Sequence, residues 1–213
     1  PRTESWIPKL DRDIRDEMED QVPQARIYRA YHAPAWKDPE LQYLGLFGDV
    51  LSGSRSSALP RRLVYEKGLA TAVNSYVSDA ELGSTFNIVV TVKPGVDPAE
   101  VEREMDAVLN ALIESGPAAE PVKRSQTGNL AGFARSLERL GGFGGRSDVL
   151  AEHMTYAGAP DAYLQRLEAM ATATPAQVKA AARKWLRAHH YRMPVRPFAK
   201  LAADKSTLDR PVL

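Results

Sequence analysis

Three times along these 213 residues a helix-capping side chain is followed at once by proline, and no other feature constrains the fold as tightly. The segments are Asp38-Pro39-Glu40, Asp97-Pro98-Ala99-Glu100 and Thr174-Pro175-Ala176-Gln177. The capping oxygen accepts from the free N–H groups of a first helical turn, and proline stands where its missing N–H costs nothing. In the second and third segments an acid or amide at the third helical position completes a capping box. Each helix start is followed by apolar residues at helical spacing. After the first come Leu41, Leu44, Phe47, Val50 and Leu51, and after the second Val101, Met105, Val108, Leu109, Leu112 and Ile113, ended by Gly116-Pro117.

Strand signals lie between these helices. Ala25 to Ala33 mixes aromatic and β-branched residues and stops at Pro34; Leu69 to Val77 and Thr85 to Lys93 flank a turn-rich SDAELGS. In the last of these, Phe86, Ile88, Val90 and Val92 alternate with Thr85, Asn87 and Thr91, the pattern of a sheet packed on one face only. A further helix is predicted over 120–140 with Val122, Gln126, Leu130, Phe133, Leu137 and Leu140 on one stripe. Helices near 146–157, 160–171 and 175–188 follow, with a returning strand over 191–198 despite Pro194 and Pro197. This order predicts an α+β fold: an antiparallel sheet of about four to six strands with helices packed on one face. Residues 1–24, acidic and basic with few large apolar groups, read as a linker, and 25–213 as one domain.

Composition narrows the function classes. With 28 basic and 27 acidic side chains the net charge is +1, so no overall field draws the chain to nucleic acid or an anionic membrane. The absence of cysteine excludes disulfides and thiolate metal sites. No window reaches the roughly 18 apolar residues of a membrane helix, so no membrane partner is expected. The first residues are too polar for a signal peptide, and a start at Pro1 reads as a processed protein or a piece of a longer one.

The candidate chemistry is sparse. Of the four histidines, His189 and His190 follow a basic helix and read as solvated residues that suit its C-terminal dipole, and His32 has no acid at ligand spacing. His153 ends Val149-Leu-Ala-Glu-His, which mimics H-x-x-E-H without its first histidine and cannot supply two imidazoles one turn apart. Gly141, Gly142, Gly144 and Gly145 flank Phe143; they read as a flexible helix break or, alternatively, as a hinge or docking loop for an extended peptide. Arg61, Arg62 and Lys67 beside Tyr65, with Arg55 nearby, form a basic cluster read as a solvated helix face or as a substrate-facing surface.

Two ordered blocks carry a resemblance. Gly53 to Val73, GSRSSALPRRLVYEKGLATAV, and then GGFGGRSDVL (Gly141 to Leu150) with TATPAQVKAAARKWL (Thr172 to Leu186), are similar to the second, non-catalytic half of insulinase/pitrilysin-like zinc peptidases. In catalytic halves of that family the first helix carries H-x-x-E-H. Here Leu44, Phe47 and Gly48 fall on the His, Glu and His positions, and none of them can bind zinc or activate water. An Arg and Tyr pair that some members use to hold substrate falls on Val64 and Thr71, so that role is not carried over.

The resemblance implies a half-domain that encloses substrate in a zinc metalloendopeptidase. This chain alone would be inactive, with no catalytic or metal-binding residue and no cofactor. Zinc would sit in a complementary catalytic half, in the same chain or a separate subunit, and that half and a peptide substrate are the implied partners. The periplasm is the implied compartment. The alternative the resemblance leaves open is a structural or chaperone-like partner of a separate active peptidase.

Overall fold

The structure, a computed structural model, describes residues 7–198. The first six residues of the expected linker, and 199–213 at the end of the expected domain, lie outside the described residues. Its center is a six-stranded sheet of order β1-β6-β3-β5-β4, with β2 also pairing with β6. The strands are β1 (Ile14–Arg15), β2 (Met18–Asp20), β3 (Arg26–Ala33), β4 (Ala70–Ser78), β5 (Ser84–Val92) and β6 (Tyr191–Pro197). Strands β6, β3, β5 and β4 are each antiparallel to their neighbors, whereas β1 and β2 run parallel to β6, so the sheet is mixed at that edge. Part of the segment read as a linker is thus hydrogen-bonded into the sheet. Its strands are two and three residues long with every residue exposed, which leaves no apolar alternation by which to recognise them.

Alternation sets which face of the sheet is buried. Phe86, Ile88, Val90 and Val92 of β5 point into the core while Thr85, Asn87, Val89 and Thr91 stay half-exposed. β6 tolerates Pro194 because neither short strand pairs opposite it: β1 stops at Arg192 and β2 begins at Val195.

Among the described residues six α-helices complete the fold: α1 (Glu40–Ser52), α2 (Pro98–Ser115), α3 (Ala119–Glu138), α4 (Arg146–Ala157), α5 (Tyr163–Thr172) and α6 (Pro175–Leu186), with a short π-helix at Pro60–Glu66 between α1 and β4. The starts follow their sequence in part: α1 begins one residue later than expected, with Pro39 at its N-cap, and at α2 Asp97 accepts from the second helical N–H, so the box expected with Glu100 does not form. Asp38 accepts from the Glu40 N–H at 2.9 Å, Asp97 from Ala99, and Thr174 forms a full capping box with Gln177. Leu41, Leu44, Phe47 and Leu51 of α1 and Val101, Met105 and Ile113 of α2 fill the core under the sheet. Fully burying a Leu, Ile or Phe side chain contributes about 1.5–3 kcal/mol, so this apolar layer is what holds the helices to the sheet.

One stripe departs from expectation. On α3 only Val122 and Gln126 are buried; Leu130 and, beyond the helix end, Leu140 are exposed, the latter by 74%. The helix leaves the core after its second turn. Gln126 marks the exit, donating to the carbonyls of Met170 and Ala173 at the end of α5.

Candidate functional site

The face of α1 on which a catalytic relative would carry its metal ligands is apolar filling here. Leu44 and Phe47 are fully buried, and the Phe47 ring lies 6.3 Å from that of Phe86. A side chain at position 48 would begin 3.3 Å from the Phe86 ring and 3.5 Å from the Ser75 carbonyl, so Gly48 lets the helix pack closely on the sheet. These residues do not fit zinc. Among the described residues no group of three or more His, Asp or Glu side chains is placed to hold a metal ion.

The remaining histidines have structural partners. His153 is buried with Nδ1 2.7 Å from the Val149 carbonyl, and its ring meets Trp36 at 4.8 Å. The adjacent Glu152 accepts from the Trp36 indole N–H at 3.0 Å. The Glu-His pair thereby anchors a tryptophan. His190 differs from the solvated reading: it is half-buried against Tyr31, with ring centroids 4.9 Å apart, and lies 3.4 Å from Asp13. Burial first, and then the Arg29 guanidinium, pull its pKa below the ordinary value.

The basic cluster lies on and just after the π-helix and is matched by acids. Arg62 donates to Glu104 of α2 at 3.0 Å and to Glu66, Lys67 donates to Glu104, and Arg61 is 3.6 Å from Glu66. Hydrogen bonds from Lys67 and then Arg62 hold the Glu104 carboxyl below the usual carboxylate range. Two of the three cations therefore tie the π-helix to α2. Tyr65 remains exposed, as does Arg61.

The glycine segment is a hydrogen-bonded turn. The Arg146 N–H donates to the Arg139 carbonyl at 2.8 Å, Gly145 to Gly142, and the Asp148 carboxylate accepts from the Gly144 N–H. Gly142 and Gly144 take positive φ angles of 82° and 69°, and Gly145 passes so close to Gly141 that a Cβ would sit 2.6 Å from its carbonyl oxygen. The turn ends α3, starts α4 and presents Phe143 at its tip, 98% exposed.

One residue of each sequence cluster lines one of two adjoining depressions beside α1 and α3. Arg61 lines a depression of about 560 Å³ and Gly144 a cleft of about 690 Å³, and the two share Asp49, Gly128 and Asn129 as a dividing wall. That wall is hydrogen-bonded, Ser125 and Asn129 both donating to the Asp49 carboxylate. Arg62, Tyr65 and Lys67 line neither.

A polar network at the other end of the sheet was not singled out from sequence. Arg15, Arg192 and Arg29 lie abreast on β1, β6 and β3, under Glu102 and Asp106 of α2. Arg15 meets Glu102 at 3.3 Å, and Arg29, 2% exposed, is hydrogen-bonded to Asp106. The signal was the phase of β3, which sets Arg29 inward with Ile27 and Tyr31 and so demands a buried acid.

Comparison with known proteins places this geometry in a family. The family model of the M16 peptidase inactive domain matches residues 2–129. A comparison with curated protein sequences returns no match. Among solved structures, a protease from Helicobacter pylori superposes with a TM-score of 0.78 at 18% identity, covering 89% of this chain and 45% of its own length. A candidate zinc protease from Bordetella pertussis Tohama I gives 0.71 at 21% identity, over 80% of this chain and 93% of that one. The periplasmic protease PqqL of Escherichia coli gives 0.70 at 13% identity, over 88% of this chain and 21% of its own. This chain therefore spans less than half of the Helicobacter protein, and at these identities the structures establish the shared fold.

Proposed function

Because this chain belongs to the M16 peptidases as one of their inactive domains, we propose that it closes over peptide substrate opposite a complementary half that carries zinc and the catalytic glutamate. The observation that supports this division of labor is the packing of α1. Its Leu44, Phe47 and Gly48 are committed to the core and can neither ligate a metal nor activate water. Enclosure is supported by the sheet face away from the helices, where Tyr28, Val89 and Asn74 lie abreast on β3, β5 and β4, half-exposed or exposed. Such a face can form the wall of a chamber without contributing to the reaction.

The test is reconstitution. Mixed with a catalytic half carrying H-x-x-E-H, the chain should raise hydrolysis of a quenched fluorescent peptide at least about tenfold, the scale of lost substrate positioning, and by itself it should neither hydrolyse the peptide nor retain stoichiometric zinc after dialysis. Hydrolysis by the chain alone, with one zinc per molecule, would overturn the reading. The periplasm is part of the proposal, supported by likeness to a periplasmic protease. Among the described residues no helix is long and apolar enough to cross a membrane. Fractionation of cells expressing the natural gene checks the compartment, and recovery in the cytosol would remove this part of the proposal.

A further inference from the structure

Four side chains form a block on the helix-facing side of the sheet, beside the edge that β1 and β2 close. Arg29 of β3 stands directly opposite Arg192 of β6, and two residues along on the same face Tyr31 meets His190, with ring centroids 4.9 Å apart. The charges of both arginines act on the His190 ring. Glu102 and Asp106, one helical turn apart on α2, close over this side.

The acids here do not match the cations. Glu102 is paired with Arg15 through one oxygen, Asp106 with Nη1 of Arg29, and Asp13 with His189 and His190. Among the described residues no carboxylate is paired with Arg192, which leaves one cation over. Hydrogen bonding falls short at the same place. Nε and Nη2 of Arg29, Nε of Arg192 and Nε2 of His190 are buried without a partner, as is one oxygen of Glu102, and among the described residues no other buried side-chain nitrogen or oxygen is left so. Arg29 is itself 2% exposed, and a buried charged group with unused donors is costly.

The chemistry of the unused atoms selects the occupant. Guanidinium N–H groups can only donate, so three of the five unused atoms call for an acceptor. A water molecule could accept from two of them but would bring two donors of its own, for which a single Glu102 oxygen is the unused buried acceptor. An anion accepts from all three and offsets the unmatched charge. These residues line neither depression beside α1 and α3, and the space between sheet and helix there suits a single ion better than a phosphate ester.

We propose that Arg29, Arg192 and His190 hold a small monovalent anion, of the size and charge of chloride, between the sheet and α2. The ion joins β6 to β3 from the helix side and completes the charge balance of that edge. The site belongs to this chain alone and does not depend on the peptidase reading.

The test follows thermal unfolding of the full chain as sodium chloride replaces sodium gluconate at constant ionic strength, with Arg192→Gln beside the wild type. The wild-type Tm should rise saturably, by about 3–6 °C once chloride is ten times its Kd, the gain from a ligand that binds only the folded state. Arg192→Gln should need at least about tenfold more chloride, the loss of one charge-assisted partner. The difference between the two proteins removes the general effect of exchanging the salts. Wild-type crystals grown in sodium bromide give a direct reading that does not rely on the variant, and an anomalous peak is expected between Arg29, Arg192 and His190. A chloride response equal in the two proteins, or a bromide map empty at this place, as ordered water would leave it, overturns the proposal. So does bromide found only beside exposed lysines and arginines, where it would be a surface counterion. None of these outcomes bears on the reconstitution test, whose readout is hydrolysis.

Discussion

At one edge of the sheet, β6 is covered by two short parallel strands, and Arg15 of β1 and Arg29 of β3 are paired with Glu102 and Asp106 of α2. At the other edge β4 borders an open cleft whose helical walls carry glycines with empty space around them. The first arrangement spends charge and hydrogen bonds on fixing segments from both ends of the described chain. The second forgoes stability that alanine would supply. The contrast is between an edge closed by strand pairing and charge and an edge left beside open space.

The sharpest way to break this contrast is at Asp106. Truncating it to alanine leaves the Arg29 charge, 2% exposed, without its carboxylate. Loss of one partner of a fully buried pair costs roughly 3–5 kcal/mol; Asp106 is itself 40% exposed, so water can partly replace it. We expect a loss of about 2–3 kcal/mol in urea unfolding, largely recovered when Arg29→Met is added. A loss no larger than that of an exposed substitution would mean that the network is ornamental.

The glycine turn at the rim of the open cleft gives the next effect. Gly145→Ala forces a Cβ against three backbone atoms of Gly141 and Arg139. It should cost about 1–3 kcal/mol, as overpacking does. Phe143→Ser, at the exposed tip of the same turn, should change stability by less than about 0.5 kcal/mol. Equal and small effects would mean that the segment is a loose break.

How far the sequence foretold these two edges depends on the range of the forces. The helix starts at Asp38, Asp97 and Thr174 were legible because cap and N–H lie within one turn. The core face of β5 was legible because alternation is local. The stripe through Leu130 and Leu140 misled, since helical spacing says which residues share a face and cannot say whether a neighbor covers it. β1 and β2 escaped notice because their partner, β6, is at the far end of the chain. The lack of H-x-x-E-H was legible, while the close approach of Gly48 to the Phe86 ring across the sheet interface required the fold. The two adjoining depressions, one lined by Arg61 and the other by Gly144, are likewise a product of tertiary packing, and neither cluster hints at them alone.

A smaller change sharpens the open side. Gly45→Ala adds a methyl group into empty space within α1. Thermal unfolding should show a gain of about 0.5–1 kcal/mol, the helix propensity difference with no steric term against it. A loss instead would show that the space beside Gly45 is filled by the chain in solution.

The weakest expected effect tests the closed edge by pH. His190 is packed on Tyr31 with Asp13 at 3.4 Å, and Arg29 and Arg192 act on it from β3 and β6 while Asp106 acts from α2. Burial, then Arg29, lowers its pKa from the ordinary value of 6.5. The unfolded chain therefore takes up this proton more readily than the folded one, and below about pH 6.5 each fall in pH favors unfolding. For Asp13, burial pushes upward, but hydrogen bonds from the His190 N–H and the His189 ring outweigh it and leave the carboxyl lowered. Its contribution is present above the ordinary value of 3.8 and is lost only as pH falls through the lowered native value. Between pH 7.5 and 5.5 the loss at this edge should therefore come from His190 while Asp13 stays charged. Urea midpoints should drop slightly over that range, and the part of the drop that His190→Asn abolishes measures the closed edge. If that variant keeps the whole pH dependence, the β1/β6 edge does not sense protons, and its role is confined to holding the two ends of the sheet together.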